Sequence, residues 1–119
     1  MRPKVLIIDD DRDIVDAMEA ILSLEEYVVP HAYNGKSGIE KVKEERPDVI
    51  LLDYMLPDMT GKDVVRSLKE DDEVKNIPII IVSAARDIKE VARQLDVVSV
   101  LEKPFDMHAL LRTVHTHLP

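Results

Sequence analysis

Hydrophobic positions in this chain follow two alternating periods from one end to the other. Five short, continuous apolar runs rich in β-branched residues are typical of strands covered on both faces, and they fall at residues 5–8, 27–29, 49–52, 79–82 and 97–101. Between and after these runs, apolar residues recur at the spacing of one helix face. The pattern predicts five strands that alternate with five helices.

Strands and helices that alternate in this way imply right-handed crossovers and a parallel sheet between two helical layers. Pro30 cannot donate to a ladder, so the second strand is predicted at a sheet edge, as in the flavodoxin-like order 2-1-3-4-5. No internal boundary or linker interrupts the pattern. We expect one doubly wound α/β domain over residues 1–119. The helical stripes behind this expectation are Ile14, Met18, Ile21 and Leu22; Ile39 and Val42; Val64, Val65 and Leu68; Ile88, Val91, Ala92 and Leu95; and Met107, Leu110, Leu111, Val114 and Leu118.

Composition narrows the class of protein. The 119 residues contain no cysteine, so neither disulfides nor thiolate metal sites are expected. The formal net charge of −8 has the wrong sign for contacts to nucleic-acid phosphates, and direct nucleic-acid binding is not expected. No apolar run is long enough for a bilayer, and the first strand begins too early for a signal peptide to precede it. These features predict a cytoplasmic protein without membrane insertion.

Acidic residues gather at the predicted carboxyl ends of two central strands. Asp9, Asp10 and Asp11 follow the first strand, and Asp53 ends the third. In open parallel sheets, ligands bind beyond the carboxyl ends of the strands where the strand order reverses, which is beside the first and third strands in this order. Adjacent carboxylates repel unless a cation or hydrogen bonds compensate them. The cluster is therefore either freely solvated or built around a bound metal.

A hydroxyl and a cation join these acids at the same predicted edge. The fourth strand ends at Ser83, and the fifth runs into Lys103. Mg²⁺ takes oxygen ligands from one or two carboxylates, from waters and from a substrate phosphate. A carboxylate that attacks phosphorus is an established form of covalent catalysis, and a divalent ion with a lysine neutralises charge on the transferring oxygens. Together these residue types indicate phosphoryl transfer.

Four segments, by their order and spacing, resemble the receiver domains of two-component response regulators, in particular single-domain receivers of the chemotaxis type. The segments are residues 6–10 (LIIDD), 51–61 (LLDYMLPDMTG), 81–84 (IVSA) and 102–105 (EKPF). The resemblance covers essentially the whole chain. It implies a signalling domain that is not an enzyme in the usual sense, since it catalyses only its own phosphorylation and slow dephosphorylation.

The resemblance also implies roles for the acids. Asp53 would accept a phosphoryl group from a phosphohistidine on a sensor histidine kinase or a phosphotransfer protein. Asp9 and Asp10 would position Mg²⁺, or Mn²⁺, with Asp53 and the backbone carbonyl of Met55 completing the protein ligands. Phosphorylation would then change the face formed by the fourth helix, fifth strand and fifth helix, where an unknown downstream target protein would bind.

Other residues are implied to contact the phosphoryl group or to support the site. Ser83 would hydrogen-bond the phosphoryl oxygens, and Lys103 would pair with them. Pro57, Gly61 and Pro104 would give structural support. Receivers usually have a cis peptide before the proline that follows this lysine, so a cis bond is expected before Pro104. Gly61 is expected to end the loop after the third strand, where glycine can adopt unusual backbone angles at little cost in free energy.

Some of these residues have simpler interpretations. Asp11 stands just ahead of a helical stripe and is predicted to cap the first helix rather than to bind metal. Taken alone, Ser83 would be a strand-terminal hydroxyl and Lys103 a surface charge. Residues 35–37 (GKS) imitate the end of a phosphate-binding loop, but Pro30 stands where such a loop has its first glycine. A turn into the second helix is predicted there.

Three departures from the family pattern affect the expected output and phosphoryl lifetime. Receivers usually carry a rotating tyrosine or phenylalanine three residues before the lysine, and this chain has Val100 there, so an aromatic switch is impossible. Residues 94–99 (QLDVVS) lack the glycine–alanine pair common before the fifth strand, and a shorter or distorted fourth helix is expected. Neither Met55 nor Ala85 offers an acid or amide to orient water, so unusually fast dephosphorylation is not expected.

Three functions are compatible with the sequence. The first is a phosphorylatable receiver, and the second is a protein-interaction module that works unphosphorylated, which Val100 favours. The third is a Mg²⁺-dependent phosphatase with Asp53 as nucleophile, but Met55 stands where a second acid would be needed for turnover. The chain ends directly after the fifth predicted helix with no visible output domain, so a complete polypeptide would act through other molecules, as a monomer or weak dimer.

Overall fold

The computed structural model describes residues 2–119. In this part of the chain, five parallel strands form one sheet in the order β2-β1-β3-β4-β5, and five helices alternate with them. No helix among these residues is both long and apolar enough to cross a membrane. The strands are β1 Val5–Ile8, β2 His31–Ala32, β3 Val49–Asp53, β4 Ile79–Ser83 and β5 Ser99–Glu102. The helices are α1 Arg12–Ser23, α2 Gly35–Glu45, α3 Gly61–Lys69, α4 Ile88–Arg93 and α5 Met107–His117.

The helices form two layers, and each layer covers its own hydrophobic core on one face of the sheet. Val5 and Ile7 of β1 belong to the core beneath α1 and α5, whereas Leu6 and Ile8 belong to the core beneath α2, α3 and α4. Side chains alternate across a strand, so covering both faces buries every residue of β1, β3 and β4. Double burial explains why these strands are continuous apolar runs, and the predicted flavodoxin-like fold is confirmed.

The second strand differs from its prediction. The predicted strand at residues 27–29 is wrong, because β2 starts later and Val28 forms only an isolated bridge. The apolar run begins at Tyr27 because this side chain packs in the core beneath α1 and α5, although the residue lies outside the strand. Pro30 has no N–H to donate, but its carbonyl accepts from the amide of Ile7 at 3.0 Å, and regular pairing resumes only after it. The predicted edge position of the second strand is confirmed.

The fourth helix is short, as expected from the sequence. α4 has six residues, and the predicted stripe extended to Leu95, beyond its end. Within residues 2–119, the residue at its N-cap position, Asp87, makes no side-chain capping hydrogen bond. β5 starts at Ser99, later than the apolar run predicts. We refer to residues 88–102 as the α4–β5 face.

Candidate functional site

Three carboxylates meet at the carboxyl ends of β1 and β3. These strands are neighbours, with Ile8 paired with Leu52, so the residues that follow them lie at the same edge. Asp9 and Asp53 are buried, with 1% and 8% of their surface exposed, whereas Asp10 is exposed. One carboxylate oxygen from each acid lies within 4.8 Å of the others. The structure therefore brings together the three acids that were predicted as metal ligands.

Hydrogen bonds hold Asp9 on both sides. Its amide donates to the carbonyl of Ala32 at 3.1 Å, and its Oδ1 accepts from the amide of Asp11 at 2.9 Å. The carboxylate of Asp11 in turn accepts from the amides of Asp13 and Ile14 in the first turn of α1. The predicted capping role of Asp11 is confirmed.

Lys103 lies between two of the acids. Its amide donates to the carbonyl of Ser83 at 2.8 Å, which fixes it at the end of β5, and the peptide bond to Pro104 is cis, as expected. Its Nζ donates to Asp9 Oδ2 at 2.8 Å and lies 3.6 Å from Asp53 Oδ2. Only 14% of the side chain is exposed. We name Asp9, Asp10, Asp53 and Lys103 the acidic site.

Ser83 ends β4 beside the acidic site. The residue before it, Val82, pairs with Asp53 across the sheet, which sets the serine one position farther toward the edge. Ser83 is buried, and its Oγ accepts a hydrogen bond from the amide of Ala85 at 3.2 Å. Its hydroxyl hydrogen remains available to an acceptor such as a phosphoryl oxygen.

Burial and like charge raise the pKa of Asp53. The pKa rises from the ordinary 3.8 to about 6, first because burial penalises the charged carboxylate and next because Asp9 repels it. The ammonium group of Lys103 and the amide of Met55, 3.4 Å from Asp53 Oδ1, act in the opposite direction. The charged form of the Asp53 carboxylate is thus destabilised, and a further cation would stabilise it.

The acidic site fits a small divalent cation. Mg²⁺ and Mn²⁺ prefer oxygen ligands, and Mg²⁺ is usually bound through one or two carboxylates and several waters. The cluster supplies three carboxylates within reach of one another, and one of them, Asp10, is open to solvent. The repulsion that raises the pKa of Asp53 is also the repulsion that a divalent ion relieves.

The loop after β3, residues 54–60, borders the acidic site. Met55 forms an isolated antiparallel bridge with Thr60, and 61% of its surface is exposed. The amide of Leu56 donates to the carbonyl of Met59 at 3.3 Å, which closes a tight turn around the exposed Pro57. The backbone of Met55 therefore has a defined position beside Asp53.

Gly61 supports this loop for a different reason than expected. Among the described residues no glycine has a positive φ, so the expected unusual backbone angle at Gly61 is wrong. A Cβ at this position would lie 3.0 Å from the Cα of Tyr54, and the amide of Gly61 donates to the carbonyl of Tyr54 at 2.6 Å. The glycine is needed because the two ends of the loop approach closely.

One residue of the loop has contacts that sequence reasoning missed. Asp58 accepts hydrogen bonds from the amides of Gly35 and Lys36, at 2.7 Å and 2.9 Å. The segment 35–37 is therefore the first turn of α2, as predicted, and not a phosphate-binding loop. An aspartate after a proline is compatible with many turns, so no signal in the sequence indicated this contact across 23 positions.

Val100 lies on the α4–β5 face, within β5. It pairs with Ile81 of β4 and is partly buried against the core beneath α2, α3 and α4. Val98, two residues earlier, has 47% of its surface exposed. The altered switch position thus lies at a surface that combines aliphatic side chains with the charged side chains of Lys89 and Arg93.

Comparison with known proteins shows sequence similarity to one protein family. Residues 5–115 match the model of the response regulator receiver domain. The chain is 34% identical over 117 residues to the response regulator ArlR of Staphylococcus saprophyticus, covering 97% of this chain and 52% of ArlR, and 32% identical over 113 residues to MprA of Mycobacterium ulcerans, covering 93% and 48%. It thus spans about half the length of these curated relatives.

A solved structure shares the fold over its full length. The chemotaxis response regulator CheY4 of Vibrio cholerae superimposes with a TM-score of 0.92 at 28% identity, over 99% of this chain and all of CheY4. The family match covers the ends of β1, β3, β4 and β5, where the residues of the acidic site lie. The chain therefore belongs to the response regulator receiver domain family of two-component systems.

Proposed function

We propose that this chain is a phosphoacceptor domain, and that Asp53 accepts a phosphoryl group from a phosphohistidine of a sensor histidine kinase or phosphotransfer protein. The observation that carries the proposal is the acidic site itself: a buried carboxylate, 3.6 Å from a lysine ammonium and beside two further acids. Solvated surface acids do not need a partly buried cation, whereas a site for a phosphoryl group does.

In the proposed reaction, an oxygen of Asp53 forms a bond to phosphorus while the bond from phosphorus to the donor's imidazole nitrogen breaks. The electron pair of the broken bond returns to the imidazole. With a pKa of about 6, Asp53 is mostly ionised at neutral pH and available as the nucleophile. Lys103 is placed to pair with charge that develops on the transferring oxygens, and the Ser83 hydroxyl would hydrogen-bond one of them.

The proposed metal ligands are Asp9, Asp10, Asp53 and the backbone carbonyl of Met55, for Mg²⁺ or Mn²⁺. A bound divalent ion would neutralise charge on the phosphoryl oxygens and on the three carboxylates. The chain's own contribution is to hold these oxygens in advance: Asp9 through the amide of Asp11 and the ammonium of Lys103, and Asp53 through the end of β3.

Turnover is expected to be limited to slow loss of the phosphoryl group. Met55 and Ala85 flank the acidic site in sequence and carry no acid or amide that would orient a water molecule. A Mg²⁺-dependent phosphatase would need a second acid there. We therefore propose a signalling domain that catalyses only its own phosphorylation and slow dephosphorylation.

A phosphorylation-independent interaction module is the second candidate. Val100 favours it, because a valine cannot make the hydroxyl-to-aromatic coupling that the family pattern implies. Under either function we propose one receiver domain over residues 1–119, monomeric or weakly dimeric, with an unidentified protein as target. Cytoplasmic location is part of the proposal, and its support is the absence of cysteine.

The test is covalent labelling of the purified protein. Acetyl phosphate and Mg²⁺ should add one phosphoryl group to the intact mass, and EDTA or the Asp53→Asn substitution should abolish the addition. If a known receiver is labelled under the same conditions and this protein is not, the phosphoacceptor proposal fails and the interaction module is favoured.

A further inference from the structure

The first turn of α2 receives its hydrogen-bond acceptors from two different elements. The first four amides of a helix have no partner within it. Here the amides of Gly35 and Lys36 donate to the two carboxylate oxygens of Asp58, at 2.7 Å and 2.9 Å. The amide of Ser37 donates to Oδ1 of Asn34 at 2.8 Å, and the regular helical bonds begin with the amide of Gly38, which donates to the carbonyl of Asn34 at 2.9 Å. From a distant loop, Asp58 thus accepts from two of the three amides, 35–37, that precede the first helical hydrogen bond.

A second contact fixes the same two elements against each other. A Cβ on Gly35 would lie 2.3 Å from Cγ and 2.6 Å from Sδ of Met59, so the Met59 side chain lies directly on the α2 backbone. Only glycine permits this approach. Asp58 and Met59, adjacent in the loop 54–60, therefore attach its outer end to α2 through both polar and apolar contacts.

The inner end of the loop holds a proposed metal ligand. Met55 bridges to Thr60, and Tyr54 accepts from the amide of Gly61, so the strand-like base of the loop is closed. The carbonyl of Met59 accepts from the amide of Leu56 at 3.3 Å, so the outer end that contacts α2 is hydrogen-bonded to the residue next to Met55. The contacts of Asp58 and Met59 with α2 are thus connected to the Met55 backbone through the loop.

We propose that Asp58 is a positioning residue for the metal site: its two hydrogen bonds to α2 hold the loop 54–60 so that the Met55 carbonyl is placed for Mg²⁺. This inference rests on the proposed function, because it presupposes the Mg²⁺ site. It assigns a role to a residue outside the acidic site. The same backbone amides hold the pKa of the Asp58 carboxyl below its usual range, so the acceptor stays charged to a lower pH than an ordinary aspartate would.

Mg²⁺ affinity separates this role from simple helix capping. The variant Asp58→Ala removes the hydrogen bonds between the loop and α2, and Asn34→Ala is the matched control, because the Asn34 side chain caps the same helix turn through the amide of Ser37. We expect isothermal titration with MgCl₂ to show about tenfold weaker binding for Asp58→Ala, the loss typical of residues that orient metal ligands. Asn34→Ala should lower the melting temperature while its Mg²⁺ affinity stays that of the wild type.

A milder variant keeps the test valid if the alanine variant does not fold. Asp58→Asn retains one acceptor and the side-chain shape, and we expect about threefold weaker Mg²⁺ binding because the charge-assisted bonds are lost. Wild-type affinity in both Asp58 variants would overturn the positioning role while leaving the metal site intact. Equal weakening by Asn34→Ala would also overturn it, since helix capping alone would then matter. Absence of Mg²⁺ binding by the wild type would refute the proposed metal site and the positioning role with it.

Discussion

The acidic site and the α4–β5 face are held in place by different kinds of contact. Around the acidic site, every residue of β1 and β3 is buried, Asp11 caps α1, and Thr60 and Asp63 form a capping box on α3. On the α4–β5 face, only Leu101 of β5 is fully buried, and the uncapped α4 has six residues.

Ion pairs follow the same division. Lys103 pairs with Asp9 where the two side chains are 14% and 1% exposed, whereas Lys89 of α4 pairs with Glu102 where they are 73% and 53% exposed. Exposed pairs of the second kind contribute little to stability, because water and salt screen them. The proposed phosphorylation site is therefore held by buried contacts, whereas the proposed partner-binding surface, with fewer buried contacts, can change its local structure at a lower cost in free energy.

The two lysines provide the largest test of this division. We expect Lys103→Met to slow phosphorylation by acetyl phosphate roughly 100-fold, because charge on the transferring oxygens loses its fixed cation. Lys89→Met, the matched substitution on the α4–β5 face, should leave the rate unchanged. Initial rates from intact mass in saturating Mg²⁺, with circular dichroism to confirm folding, give the measurement. Similar rates for both variants would show that the lysine in the acidic site has no special role.

The raised pKa of Asp53 predicts a pH-dependent penalty on folding in metal-free protein. Because the folded pKa of about 6 exceeds the ordinary 3.8, the native state binds more protons between these values, and stability falls as pH rises through them. Asp53→Asn should therefore raise the free energy of unfolding by about 1–2 kcal/mol at pH 8, after allowance for solvent screening, and by little at pH 4.

Urea denaturation in EDTA at both pH values checks this prediction, and saturating Mg²⁺ should reduce the advantage of the asparagine variant at pH 8. An Asp53→Asn variant that is less stable than the wild type at pH 8 would mean that Lys103 more than compensates the buried charge.

Helix caps offer a smaller comparison of the two regions. Asp11→Ala should lower the free energy of unfolding by about 1 kcal/mol, because two amides of α1 lose their acceptor. Asp87→Ala, at the same position of α4, should change it by less than about 0.5 kcal/mol, as for an ordinary surface substitution. Equal losses in urea denaturation would contradict the difference in how the helices begin.

The smallest expected effect concerns Val100. Val100→Tyr restores the aromatic residue of the family pattern on the α4–β5 face, and we expect the phosphorylation rate to stay within about twofold of the wild type, because Val100 packs against the hydrophobic core and is not part of the acidic site. A larger change would show that the two regions are energetically coupled despite valine. The initial rate with acetyl phosphate measures it.

The parts of the fold that were predictable are those where burial alone decides the residue type. β1, β3 and β4 are buried on both faces, so their apolar runs locate them within a residue of their observed bounds. β2 was misplaced because the apolar run includes Tyr27, whose side chain packs in the core without lying in a strand. Regular pairing begins only after Pro30. Apolar character reports burial, and pairing is a separate property of the backbone.

The acidic site was predictable because parallel strands deliver their carboxyl ends to one edge. That rule brings Asp9, Asp10, Asp53 and Lys103 together, as the structure does. The contact of Asp58 and the reason for Gly61 were not predictable, because one depends on a side-chain contact across 23 positions and the other on the close approach of Gly61 to Tyr54 across the loop. Such contacts follow from the packed loop and leave no periodic signal.

Chemical trapping would identify the residue that carries the phosphoryl group, which we propose is Asp53. Borohydride reduces an aspartyl phosphate to homoserine, which peptide mass spectrometry can locate after labelling with acetyl phosphate and Mg²⁺. If Asp53 is the phosphoacceptor, we expect homoserine at position 53 alone. Homoserine at position 9 or 10, or a labelled protein without any homoserine, would contradict it.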